Sequence, residues 1–206
     1  MRDQESCMET GALHPDFMGF IFYRNSPRYV GDDFSVPESL PSCILKVGVF
    51  VNAEPDFIRG LVERNKLDAV QLHGDEPPED CAAIRRFVPF VIKSFAVDQV
   101  FDFKVTVPYE PVVDYFLFDA KGQHFGGNGI SFDWQVLERY RQRIPFFLSG
   151  GINAENILQV SRVGNPNLVG LDLNSGFEIR PGVKDVNTLR KALYLVNKMQ
   201  HDHESI

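Results

Sequence analysis

YFLFDAKGQHFGGNGISFDW, residues Tyr115–Trp134, is the stretch on which the fold turns. Tyr115–Phe118 is apolar at every position, as expected of a parallel strand buried on both faces. The run ends on a single carboxylate, Asp119. Gly126, Gly127, Asn128 and Gly129 follow, a loop whose missing side chains let backbone approach a ligand. Phe132, Asp133 and Trp134 mark where the next helix is expected to begin. An acid at a strand's C-terminal end, beside a glycine loop, is a common active-site layout in α/β enzymes. Asp119 is therefore the candidate catalytic residue.

Working outward, similar apolar runs occur at Met18–Phe22, Lys46–Val51, Ala69–Leu72, Phe90–Phe95, Pro145–Leu148 and Leu168–Leu173. Amphipathic segments separate them. In Glu54–Asn65, Phe57, Ile58, Leu61 and Val62 recur at helical spacing, with Asn52 as a cap. Pro77–Phe87, Asp133–Tyr140, Ala154–Val163 and Val186–Met199 are the other expected helices, the last with Leu189, Leu193 and Val196 on one face. Strand–helix alternation with short loops implies a parallel sheet, either open and doubly wound or closed as a (β/α)8 barrel. Polar residues cluster after nearly every strand rather than at one switch point, which favours the barrel. The count is seven strands rather than eight, which would leave two sheet edges unpaired.

Composition bounds the function. The 206 residues suffice for one domain with a sizeable core, expected over residues 1–199. Residues 200–206, QHDHESI, read as a frayed polar tail rather than a metal site built on His201 and His203. A net charge of −7 argues against a nucleic-acid or anionic-membrane partner, while local backbone N–H groups can still bind a phosphorylated small molecule. The three cysteines, Cys7, Cys43 and Cys81, have neither metal nor redox spacing, which suits a reducing cytoplasm. No apolar run is long enough to cross a membrane, and the N-terminus is too polar for a signal peptide.

Several constellations carry chemistry. Arg28, in YRNSPRYV, offers a planar guanidinium for a carboxylate or phosphate, or is a solvated surface arginine. Gln71 and His73 end the AVQLHG strand, where they line a pocket or cap a backbone group. LSGGIN places Gly150 and Gly151 between a strand and a helix capped by Asn153, a phosphate-binding geometry. LDLNSG supplies a second such turn with Ser175 and Gly176, and phosphate sites after strands seven and eight recur in barrels. Asp172 lies in the last strand, where its charge requires a ligand, water or partner. The chain has no dinucleotide fingerprint, GxxxxGK loop, G-x-S-x-G elbow, H-E-x-x-H or paired C-x-x-C. Cys7, in a polar helical segment, reads as a half-buried or surface thiol rather than a nucleophile.

With these residues in view, the chain closely resembles phosphoribosylanthranilate isomerase, a (β/α)8 enzyme of tryptophan biosynthesis. The resemblance runs through MGFIFYRNSPRYV, KVGVFVN, AVQLHGDE, Phe118–Trp134, LSGGIN and LDLNSGFEIRPGVKD, in the family's order and spacing. It implies an Amadori rearrangement of N-(5-phosphoribosyl)anthranilate to 1-(2-carboxyphenylamino)-1-deoxyribulose 5-phosphate. Asp119 would be the general acid that opens the furanose ring. Arg28 and Asp172 would hold the anthranilate end, with His73 and Gly127 also against the substrate. Gly150, Gly151, Ser175 and Gly176 would bind its phosphate. The resemblance implies no metal or organic cofactor, and a monomer or homodimer.

The family's general base is a cysteine on its first strand. Aligning the second strand puts Met1-Arg2-Asp3 where that segment ends, so the cysteine is expected upstream of residue 1. Cys7 is not its equivalent, and low activity is expected of residues 1–206. A catalytically impaired phosphosugar-binding barrel is the competing expectation. Indole-glycerol-phosphate synthase is disfavoured, because lysine and glutamate do not recur at the strand ends.

Overall fold

Each of the seven apolar runs forms a strand in the structure, a computed structural model that describes residues 1–120 and 134–204. They are β1 (Phe17–Ile21), β2 (Leu45–Phe50), β3 (Ala69–Leu72), β4 (Phe90–Val97), β5 (Tyr115–Ala120), β6 (Phe146–Ser149) and β7 (Leu168–Leu171). All are parallel, and each pairs with its neighbour in sequence. This is the strand order of a (β/α)8 barrel with seven strands present. Among the described residues β1 and β7 each pair on one side only.

The sheet curls. The ring of Phe17 on β1 lies 5.2 Å from that of Phe147 on β6 and 6.4 Å from Tyr115 on β5, so opposite parts of the sheet meet through aromatic side chains. Val47, Ala69, Ile92 and Leu117 form a layer with these rings inside the curl. The alternate residues, including Phe20, Phe50, Leu72, Phe116, Phe118 and Phe146, face the helices and are fully buried. Each contributes about 1.5–3 kcal/mol by burial, which drives the sheet and helix layers together.

The helices are α1 (Gln4–Gly11), α2 (Pro55–Asn65), α3 (Pro78–Ile84) and α4 (Val186–Glu204). Asp3 caps α1 by accepting from Ser6 N at 2.8 Å. On α2, Ile58 and Val62 are buried, whereas Phe57, grouped with them by periodicity, is exposed. Asn52 does not cap α2. Its φ is 49°, its side chain accepts from Asp75 N, and Glu54 occupies the cap position.

The expected helices after β5 and β6 are short 3-10 segments, Trp134–Arg139 and Ile157–Arg162, and a third, Phe103–Tyr109, follows β4. Across six residues a period of three and one of 3.6 bury the same positions, so the sequence does not separate them. After β7 an antiparallel hairpin, β8 (Glu178–Arg180) and β9 (Val183–Lys184), turns at Gly182 (φ 84°). Where residues 200–206 were expected to fray, α4 continues helically through Glu204. None of the described helices is long and apolar enough to cross a membrane.

Candidate functional site

Side-chain alternation along the strands assembles the site. Ala69, Ile92 and Leu117 belong to the inner layer, and Phe147 and Gly170 share that face. Two positions further along the same strands, or just past their ends, come Gln71, Ser94, Asp119, Ser149 and Asp172. The core lining thus gives way to polar groups at the C-terminal ends of five consecutive strands.

These groups are bonded to one another. The Gln71 amide Nε2 donates to Ser94 Oγ at 3.2 Å and lies 2.9 Å from His73 Nδ1. An amide nitrogen only donates, so Nδ1 accepts and the neutral ring carries its proton on Nε2. That Nε2 lies 3.7 Å from Asp119 Oδ2, with both side chains about one-third exposed. The separation exceeds a direct hydrogen bond, so among the described residues His73 does not close off the Asp119 carboxyl. Asp119 pairs in register with Ser149, whose hydroxyl donates to Asp172 Oδ2 at 3.1 Å. Asp172, expected within the last strand, lies one residue beyond β7, and Ser149 supplies the partner its charge requires.

The loop carrying His73 rests on a buried ion pair that hydropathy did not flag. Lys93 and Glu76 have side chains 2% exposed and meet at 3.1 Å. Glu76 also accepts from the backbone N–H groups of Asn52 and Gly74. A lysine inside a strand buried on both faces is the available sequence signal, because such a charge requires an acidic partner.

The two glycine turns lie side by side. Gly150 (φ 90°) and Gly151 (φ 69°) take the left-handed region after β6, and Asn153 Oδ1 accepts from the N–H groups of Glu155 and Asn156. Gly176 bridges to Asn153, and a Cβ there would come within 2.1 Å of Ile152 O. Only glycine permits that approach, so LSGGIN and LDLNSG form one surface with Ser175 beside it. The helix expected behind the first turn is the six-residue 3-10 segment, so backbone of the turns, rather than an α-helical dipole, faces this surface.

Arg28 is not a solvated arginine. Its Nε and Nη2 grip Glu178 on β8 at 2.6–3.0 Å, with side chains 22% and 4% exposed. Burial opposes the Glu178 charge. Hydrogen bonds from Arg28, the Lys184 ammonium and Gly182 N–H outweigh it and hold the carboxyl below its ordinary range. Lys184 in turn donates to the carbonyls of Leu173 and Asn174 at the start of the second turn. Burial lowers its own pKa, opposed by Glu178 and Asp172.

Cys7, expected at or near the surface, is fully buried in α1, and burial pushes its thiol up to about 11. Its partly polar helix packs against β9, where Ser6 accepts from Lys184 N. Gly127 and the loop 126–129 lie outside the described residues. Among the described residues no group of three or more His, Cys, Asp or Glu side chains could hold a metal ion.

Residues 2–194 match the family model described as N-(5'phosphoribosyl)anthranilate (PRA) isomerase. The N-(5'-phosphoribosyl)anthranilate isomerase of Parabacteroides distasonis is 42% identical over 193 residues, 92% of this chain and 87% of the relative. The crystal structure of phosphoribosyl anthranilate isomerase from Thermotoga maritima superposes with a TM-score of 0.79 at 32% identity, covering 96% of each chain. A phosphoribosyl anthranilate isomerase bound to reduced 1-(o-carboxyphenylamino)-1-deoxyribulose 5-phosphate superposes with a TM-score of 0.78 at 31% identity, covering 96% of this chain and 95% of that one.

Proposed function

The chain belongs to the N-(5'-phosphoribosyl)anthranilate isomerase family of tryptophan biosynthesis, and from that premise we propose how its residues divide the reaction. Asp119 is the general acid. It protonates the furanose ring oxygen, and the ring opens to a Schiff base between the sugar and anthranilate. Transfer of the C2′ proton from the protonated Schiff base to a base or to water then gives an enol-amine, which tautomerises to the ketone. The observation that carries this reading is the one-third-exposed Asp119 carboxyl at the end of β5, flanked by His73 and in register with Ser149.

Substrate binding follows the same geometry. Glu178 occupies Nε and Nη2 of Arg28, which leaves Nη1 for the anthranilate carboxylate. Asp172 shares the anthranilate end with Arg28, and His73 lies against the substrate beside Asp119; Gly127, outside the described residues, is carried over from the family resemblance alone. The joined turns of Gly150, Gly151, Ser175 and Gly176 receive the 5-phosphate. A relative bound to the reduced product supports a phosphorylated ligand for this site. The working form is a monomer or homodimer, which sedimentation distinguishes.

The three cysteines lie away from the described strand ends: Cys7 in α1, Cys81 in α3 and Cys43 exposed before β2. None is placed to take the C2′ proton, so this step limits turnover of residues 1–206. Asp119→Asn is expected to lower single-turnover conversion by a further hundredfold or so while the melting temperature holds. Cys7→Ser leaves conversion unchanged. Wild-type conversion by Asp119→Asn would remove the acid from the scheme, and a large loss in Cys7→Ser would place the base on α1.

A further inference from the structure

Lys93 is an unexpected residue for its position. It points from β4 to the helix-facing side of the sheet, among Phe95, Phe116 and Leu72, and is 2% exposed. Net stability does not explain it, since a buried ion pair contributes little more than well-packed apolar side chains of the same volume. Its contacts suggest a different task. The ammonium's three N–H groups are shared among four oxygens: Leu72 O at 3.3 Å, Gly74 O at 2.7 Å, Ser94 O at 3.2 Å and Glu76 Oε2 at 3.1 Å. Leu72 and Gly74 are the residues on either side of His73.

We propose that Lys93 is a positioning residue for His73: by gripping the carbonyls before and after it, the ammonium fixes the backbone from which the imidazole is aimed at Asp119. This rests on the reading that His73 serves the site. The surrounding contacts act in the same direction. Glu76, held by Lys93, accepts from Gly74 N and from Asn52 N, so the loops after β2 and β3 are tied to one charge centre. Asn52 Oδ1 accepts from Asp75 N at 2.7 Å, and a Cβ on Gly74 would come within 2.2 Å of that oxygen. His73 N donates to Phe50 O at 2.8 Å. With the backbone held on both sides, the Gln71 amide need only select the ring's tautomer.

The test follows the ring itself. The five histidines are labelled with 15N, and His73 is assigned by its loss in His73→Gln. Wild type is expected to show one neutral tautomer protonated on Nε2. In Lys93→Met the ring should interchange tautomers, and where turnover is measurable kcat should fall about ten- to a hundredfold with KM nearly constant. Should Lys93→Met not fold, Lys93→Met/Glu76→Leu removes both charges and carries the same expectation. Glu76→Gln keeps the grip on Leu72 and Gly74, so it should lower the melting temperature yet retain the wild-type tautomer. Wild-type ring signals in the folded Lys93 variants, or their equal loss in Glu76→Gln, would overturn the proposal. Single-turnover conversion tests the isomerase reading separately, and the ring spectrum decides the part played by Lys93 whatever the rate.

Discussion

Cys7 and Cys81 are both fully buried, and burial pushes their thiols up to about 11 and about 12, whereas Cys43 is exposed. A disulfide reagent at neutral pH needs thiolate and access, so Cys43 alone should react in the native chain. All three should react once the chain is denatured, and prompt native reaction of a second thiol would contradict the packing of α1 or α3. The same distinction between visible and hidden groups governs what could be read in advance. Asp119 ends an apolar run and Asp172 interrupts one just before its end, where a charge stands out. Ser94 and Ser149 are small enough to pass for strand filler. Lys93 interrupts FVIKSFAV without breaking its apolar character, so hydropathy passes over it. Arg28 left two readings open because its partner, Glu178, lies 150 residues away.

Among the elements, strands were more legible than helices. Parallel strands buried on both faces give runs that turns delimit sharply, and Ala69–Leu72 matches its expected bounds. The segments after β5 and β6 have the polarity of helices but too few residues to reveal their period, and Asn52 has a cap's identity while bonding across to the neighbouring loop. The paired glycine turns were legible as two motifs, whereas their contact was not. That contact predicts unequal effects of adding one methyl group. Gly176→Ala drives a Cβ into Ile152 O and should cost about 2–3 kcal/mol or more. At Gly151 a Cβ meets nothing within 4 Å, so Gly151→Ala should cost only the left-handed backbone strain, about 1–2 kcal/mol. Thermal melts compare the two. Protection by inorganic phosphate should weaken in Gly151→Ala if the turn receives the anion.

For the molecule as a whole, Arg28, Glu178 and Lys184 link the loop after β1 to the hairpin after β7, the two ends of the curled sheet. Because the native Glu178 carboxyl titrates below its ordinary 4.5, its contribution is present above that pH and is lost as acidification passes through the lowered native value. Glu178→Gln should cost about 3 kcal/mol at neutral pH, since it leaves the buried Lys184 and half-buried Arg28 without their acid. Denaturant melts should show the gap between variant and wild type closing in acid. A gap that stays constant with pH would mean that the loss is one of packing.

Because each strand from β2 to β7 pairs with the one before it, the seven-stranded sheet can be laid down in the order in which a ribosome releases it. Each new strand meets a finished edge, and few distant segments need to find each other early. The grip of Arg28 on Glu178 departs from that order, as does the bond from Lys184 N to Ser6 on α1, because β8 and β9 follow β7 in the chain. Until these emerge the growing sheet is a template without a fastening, so the link from Arg28 should govern how long the finished chain stays folded more than how quickly it folds.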